Sequence, residues 1–117
     1  WEYFALLNIS NFLLKRFRII VIEFHNLDKL WNPSHFNLAN EVFNKLLQTH
    51  SCVHIHPNND ARIYSYNGVD IPPLAEFTFY RKDRFTPTGY ASEFPHALDY
   101  NNVIENKELI LPKDWIK

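Results

Sequence analysis

The sequence predicts an α/β domain with a mostly parallel sheet, antiparallel strands at the sheet edge and an extended tail. Three observations support this fold class: an apolar run at residues 18–25, a helical pattern from about 33 to 49, and a second strand at 52–56. A strand that is buried on both faces is a continuous apolar run, and a helical crossover of this length joins parallel strands. A right-handed strand–helix–strand unit is therefore expected between residues 18 and 56.

The elements follow in order. Residues 1–17 predict two short helices, and Ser10 is expected to cap the second. The run from Arg18 to His25 has β-branched residues without polar alternation, as in a buried strand. Asn32 then precedes a helix start, and apolar side chains recur at spacings of three and four residues at Phe36, Ala39, Val42, Phe43 and Leu46.

After residue 56 the pattern changes. Residues 63–66, the turn Asn67–Gly68 and residues 75–80 predict strands that are joined without a helix, at the edge of the sheet. From Arg84 the chain is rich in Pro, Asn and aromatic residues without periodicity, which indicates an extended tail. We therefore divide the chain into an α/β part, residues 1–83, and a tail, residues 84–117.

Composition excludes several classes of protein. The 117 residues are 46% hydrophobic and 16% aromatic, so a core is expected, and the net charge of -1 gives no field that would attract nucleic acid. No apolar run approaches the roughly 20 residues that span a bilayer, so no membrane partner is expected. The single cysteine, Cys52, favours a cytoplasmic location over a disulfide-bonded secreted one.

The chain contains no Met and begins at Trp1, which indicates a piece of a longer protein whose first half is missing. Loss of neighbouring strands would leave an apolar edge exposed at residues 19–24.

Polar residues follow both strands of the predicted unit. Ligand sites in open α/β sheets lie beyond the carboxyl ends of the strands, here near residues 23–26 and 56–59. Glu23 and His25 are two residues apart and point to one face, so they form either a structural pair or a pair that orients an acceptor hydroxyl and accepts its proton. Asn58 and Asn59 predict either a turn or hydrogen bonding in the site.

Histidine is abundant near these strand ends. His54 and His56 share a face, and with Glu23 or Asp60 they suggest metal ligation as an alternative, but no further cluster has a recognised spacing and no metal is predicted. His35 and His50 flank the predicted helix and are interpreted as a surface residue and a partner of the helix dipole. Cys52 has no base at a motif spacing, so a catalytic thiol is not expected.

Three segments in this order resemble the FkbM-type S-adenosylmethionine-dependent methyltransferases. They are Ile-Val-Ile-Glu-Phe-His at residues 20–25, Val-His-Ile-His-Pro-Asn-Asn at 53–59 and Ile-Pro-Pro-Leu-Ala-Glu-Phe-Thr at 71–78. Trp1-Glu2 also looks like the residues that follow an acidic Asp-Ile-Glu-Gly type motif in that family. The similarity covers about residues 1–83 and implies the C-terminal part of a Rossmann-like class I methyltransferase fold, with residues 18–25, 52–56 and 75–81 as its strands five, six and seven.

The resemblance implies methyl transfer from S-adenosylmethionine to an oxygen of a small molecule or a sugar. It makes His25 the first choice for the base, with Glu23 and His56 as further catalytic residues. The expected substrate-binding residues are Trp1, Asn26, Asn58 and Asn59. The family's glycine-rich turn and acidic ribose-binding residue belong to its first two strands, which this sequence does not include, so no cofactor residue is assigned and the fragment alone is expected to be inactive.

Two other classes of function stay open at this point. One is a non-catalytic α/β module that acts through its aromatic surface. The other is a metal-dependent hydrolase built on His25, His54 and His56.

Overall fold

A computed structural model describes residues 1–116. Its helices are α1 (Glu2–Asn8), α2 (Asn11–Leu14) and α3 (Pro33–Leu47), and its strands are β1 (Ile19–Phe24), β2 (His50–Pro57), β3 (Tyr64–Tyr66), β4 (Val69–Ile71) and β5 (Ala75–Arg81). Short 3₁₀ helices lie at Leu27–Trp31, Lys82–Arg84 and Lys113–Trp115. Over these 116 residues no helix combines the length and the apolar character that a bilayer crossing requires.

The main sheet has three strands in the order β1-β5-β2, and β5 pairs antiparallel with both neighbours. Strands β3 and β4 form a separate antiparallel hairpin. All strand pairings in the described part of the chain are therefore antiparallel, and the predicted mostly parallel, Rossmann-like sheet is wrong. The predicted edge position of residues 75–80 is also wrong, because β5 is the central strand.

The physical reason lies in which strand occupies the middle of the sheet. Strands β1 and β2 do run in the same direction, since each is antiparallel to β5, but β5 lies between them and takes their hydrogen bonds. The backbone N–H of Arg81 donates to the Arg18 carbonyl at 2.9 Å, whereas the next N–H, that of Lys82, donates to the Thr49 carbonyl at 3.0 Å. The sequence pattern indicated the direction of each strand but not its neighbour.

The core lies between α3 and one face of the main sheet. On β5, Ala75, Phe77 and Phe79 are buried, and the ring of Phe43 on α3 packs at 5.4 Å from that of Phe77 and 4.7 Å from that of Phe24. Side chains alternate along a strand, so the residues between them face the opposite side of the sheet.

Local signals position the helices as the sequence predicts. The Ser10 hydroxyl accepts a hydrogen bond from the Leu13 N–H at 3.1 Å, which confirms the cap on α2. The Asn32 side chain accepts from two backbone N–H groups in the first turn of α3. The Lys45 Nζ group of α3 donates to the carbonyls of Leu7 and Ile9 at 2.8 and 2.5 Å, which fixes the end of α1 against α3.

Candidate functional site

A row of polar side chains crosses the sheet where β1 and β2 end. Glu76 on β5 is the register partner of Glu23 on β1 and of His56 on β2. Directly opposed residues lie on the same face of a sheet, so these three side chains, here called the polar row, share the face that points away from α3. Glu76 is exposed, Glu23 is half-buried and His56 is buried.

Asn58 holds one end of the polar row. Its Nδ2 group donates to Glu23 Oε1 at 2.5 Å, and its Oδ1 accepts from the Asp60 N–H at 2.9 Å. The second bond is an Asx turn, which links side chain and backbone two residues apart. Asn58 is only 8% exposed. It therefore serves both as the turn residue and as a hydrogen-bonding residue of the site, the two roles that the sequence left open.

His25 lies just beyond β1 and is held by α1. Its backbone N–H donates to Glu2 Oε1 at 2.8 Å, its Nδ1 lies 3.4 Å from the same oxygen, and its carbonyl accepts from the Tyr3 hydroxyl at 2.8 Å. The two backbone hydrogen bonds fix the main chain of His25 against α1, and the Glu2 carboxylate lies close to one nitrogen of its ring. The backbone of His25 is therefore anchored at the strand end, and its ring is exposed.

The pKa values of Glu2 and Tyr3 favour the hydrogen bonds that these two residues make with the His25 backbone. Partial burial alone would raise the pKa of Glu2, but hydrogen bonds from backbone N–H groups, first that of His25, bring its pKa below the usual value. Burial raises the pKa of Tyr3, so its hydroxyl remains a donor to the His25 carbonyl. Sequence reasoning missed Glu2 as a site residue, because no motif connects it to a histidine 23 positions away.

The other predicted site residues have separate positions. Glu23 bonds Asn58 and His25 contacts Glu2, so within residues 1–116 no hydrogen bond joins Glu23 to His25. Asn26 is exposed in a left-handed conformation with φ 60°, which Asn tolerates, and it begins the 3₁₀ helix at Leu27–Trp31. Trp1 is fully exposed at the start of α1.

Asn59 fastens the tail to the end of β2. Its Nδ2 donates to the Val103 and Asn106 carbonyls at 2.8 and 3.3 Å, and its Oδ1 accepts from the Val103 N–H at 2.9 Å. The Asn106 side chain donates in return to the Asn59 carbonyl at 3.0 Å. The amide group of the Asn59 side chain is therefore occupied by hydrogen bonds to residues 103–106.

A second tail contact involves the histidines of β2. His54 Nε2 lies 2.8 Å from Asp99 Oδ1, and the His96 ring packs edge-on to that of His54. The His54 and His56 rings are nearly parallel, with centroids 6.5 Å apart. In the part of the chain that the structure describes, no three His, Cys, Asp or Glu side chains are close enough to hold a metal ion. His25, His54 and His56 thus do not form the metal centre that a hydrolase would need.

The remaining histidines are structural. His50, interpreted from sequence as a helix-dipole partner, is fully buried in β2, with Nε2 at 2.9 Å from the Phe17 carbonyl and Nδ1 at 2.8 Å from the Thr49 hydroxyl. The His35 ring packs edge-on to Tyr3, with centroids 5.2 Å apart.

A groove of about 470 Å³ separates β2 from the tail. Its lining comprises Ser51, Cys52, Val53, His54, Ile55, Leu111, Trp115, Ile116 and residues in the range 85–94. Cys52, one of the lining residues, is exposed as a residue, but burial of its thiol raises its pKa to about 11. The thiol is therefore protonated near neutral pH and is a poor nucleophile.

The described residues do not fit S-adenosylmethionine, because the chain has two glycines and neither follows a strand into a helix. Gly68 forms the β3–β4 turn and Gly89 lies in the tail. No family model, no curated protein and no solved structure matches the chain.

Proposed function

We propose that this chain is the acceptor-binding part of an S-adenosylmethionine-dependent methyltransferase that methylates an oxygen of a small molecule or a sugar. The reaction class comes from the resemblance of residues 20–25, 53–59 and 71–78 to FkbM-type enzymes. The observation that carries the acceptor site is the bond from Asn58 to Glu23 beside His56. Since the described residues do not fit the cofactor, we propose that S-adenosylmethionine is bound by residues other than 1–117.

The polar row has free capacity for a hydroxylated ligand. Among residues 1–116, no group bonds Glu23 Oε2, and neither ring nitrogen of His56 has a hydrogen-bond partner. A carboxylate oxygen accepts a hydrogen bond from a hydroxyl, and an imidazole accepts or donates one. Because Asn58 already fixes the carboxylate, a ligand hydroxyl meets a preorganised acceptor.

His25 is the residue proposed to accept the proton of the acceptor hydroxyl. Transfer of a group to a hydroxyl oxygen releases that proton, and imidazole is suited to accept it near neutral pH. Glu2 is a positioning residue in this proposal, because it binds the His25 backbone N–H and lies 3.4 Å from His25 Nδ1.

The second candidate is a non-catalytic module that binds a hydroxylated ligand through the same polar row. The observation that favours it is that neither glycine lies in a strand-to-helix turn. In that case Glu23, Asn58 and His56 bind the ligand and His25 has no chemical role.

Calorimetry with S-adenosylmethionine separates the two candidates. We expect no binding by residues 1–117 and binding by a longer polypeptide that contains them. In that longer form, Glu23→Gln should leave cofactor affinity unchanged and reduce label transfer from S-adenosylmethionine to hydroxylated acceptors at least tenfold. The matched control is Glu105→Gln, at an exposed tail position. Absence of cofactor binding by both forms would overturn the methyltransferase proposal in favour of the binding module.

A further inference from the structure

Three exposed aromatic side chains contact one another beside the hairpin. The rings of Trp31 and Tyr66 have centroids 5.0 Å apart, and those of Tyr64 and Tyr66 are 6.5 Å apart with planes inclined by only 7°. Their exposed fractions are 45% for Trp31, 41% for Tyr64 and 46% for Tyr66. We call these three residues the aromatic platform.

The backbone fixes this arrangement. Tyr64 and Tyr66 are two residues apart on β3, so they point to the same side. The hairpin turn has positive φ at both central residues, 49° at Asn67 and 77° at Gly68, as in tight two-residue turns. Trp115 Nε1 donates to the Asp70 carbonyl at 2.9 Å and holds the second strand of the hairpin.

The aromatic platform lies at the strand-end edge that also carries the candidate site. The 3₁₀ helix that ends in Trp31 starts directly after Asn26, where β1 has ended. The Leu27 N–H donates to the Pro73 carbonyl at 3.0 Å, which ties that helix to the segment between the hairpin and β5. The hairpin itself follows Asn58, so both platform segments leave the sheet next to the polar row.

The chemistry of the aromatic platform selects a neutral ligand with a flat apolar face. Both signs of charge occur close to the platform in the sequence, with Asp28 and Lys29 in the helix that carries Trp31 and with Arg62 and Asp70 near the tyrosines, so no excess of one sign favours a charged ligand. Aromatic rings combine an apolar face with a polar tip, and contiguous exposed ones mark binding sites. A pyranose ring offers a matching C–H face, and its outward hydroxyls can bond polar groups or water around the platform.

We propose that the aromatic platform binds a pyranose ring and that the ligand of this chain is a carbohydrate. Its role as methyl acceptor rests on the proposed function, whereas binding itself does not.

The test is a two-dimensional NMR titration of the ¹⁵N-labelled chain, without cofactor, with maltohexaose, cellohexaose and chitohexaose. We expect at least one of these sugars to shift the Trp31 indole and the Tyr66 amide signals. Trp31→Ala and Tyr66→Ser should each weaken that binding at least tenfold. The matched control, Tyr100→Ala, removes a tyrosine that is 81% exposed and outside the aromatic platform, and should bind as the unchanged chain does.

Two results would overturn the inference: no shift at these signals with any of the three sugars, or equal binding by a folded Tyr66→Ser variant. Because both results are measured without S-adenosylmethionine, they do not affect the outcome of the calorimetric test of cofactor binding. Loss of cofactor binding would conversely leave the sugar site intact.

Discussion

Asn58 Nδ2 donates a hydrogen bond to Glu23 Oε1 at 2.5 Å, across 35 positions of sequence. The bond joins the ends of β1 and β2, which are not neighbours, because β5 lies between them. It is part-buried, so water competes with it less than at an open surface. One side chain thus links the two outer strands of the sheet at the candidate site.

Replacement of Asn58 should therefore affect stability as well as binding. Asn58→Ala removes the donor and leaves a half-buried carboxylate unpaired, at an expected cost of about 1–3 kcal/mol. Urea denaturation measures this change in the free energy of unfolding. Asn102→Ala, at an exposed tail position, is the control and should change it by less than about 0.5 kcal/mol. Equal midpoints for the two variants would show that the Glu23–Asn58 bond does not stabilise the strand ends.

The sequence predicted which segments form helices and strands better than it predicted which strands are adjacent in the sheet. Apolar runs indicated β1 and β2, and apolar periodicity indicated α3. The expected burial of β1 on both faces is wrong, because the side chains of Ile19 and Val21 are 52% and 55% exposed. The central place of β5 left no trace in the residues, since an alternating strand such as residues 75–81 fits the edge and the centre of a sheet equally well.

In the candidate site too, the sequence located residues at the strand ends but did not show a contact that depends on how a helix packs. Glu23 and Asn58 meet at the strand ends, as the sequence allowed, because β1 and β2 run in the same direction and end at one edge of the sheet. Glu2 was missed because its contact with His25 depends on how α1 packs across the end of β1, which no spacing encodes.

Release of the tail is the expected effect of changing Asn59. Asn59→Ala removes three side-chain hydrogen bonds to residues 103–106, while the contact of His54 with Asp99 remains. Opening of this segment should become easier by at least the roughly 1.4 kcal/mol that corresponds to a tenfold change. Limited trypsin digestion should therefore cleave after Lys107 at least ten times faster than in the unchanged chain. Unaltered cleavage would mean that Asn59 does not hold the tail, and Asn102→Ala serves again as control.

Cys52 should react slowly and with a displaced pH profile. Burial of the thiol, which the contact with the His54 carbonyl only partly offsets, raises its pKa from 9.0 to about 11. The reactive thiolate is therefore about 100-fold scarcer at neutral pH than for an unperturbed thiol. Rates of iodoacetamide alkylation should rise steeply between pH 9 and 11, whereas the urea-unfolded chain should level off near pH 9. A common profile for both states would contradict the burial of the thiol.

The same shift has a consequence for stability. Because the folded pKa is the higher one, the folded state holds the proton more tightly. The contribution of Cys52 to stability is full below about pH 9 and is lost as the pH rises toward 11. Cys52→Ser should flatten that part of the stability profile.

The outer edge of β1 is apolar and has no strand beside it within the described residues. Arg18 directs its carbonyl to β5, and ladder hydrogen bonds alternate in direction, so the backbone groups of Ile19 and Val21 point away from the sheet. Their side chains are 52% and 55% exposed. Leu6, Ile9, Leu14 and Phe17 line the groove beside them.

We therefore expect the 117-residue chain to self-associate through this edge, since an unprotected apolar strand edge pairs with other chains. Val21→Lys places a charge on the edge without touching the core and should raise the dissociation constant at least tenfold in sedimentation velocity runs over a concentration series. Val53→Lys is the matched control, because Val53 is 43% exposed on a bulge of β2, the opposite outer strand. The opposite result, in which Val21→Lys associates as strongly as the unchanged chain and Val53→Lys associates more weakly, would show that the interface lies on β2 and not on the β1 edge.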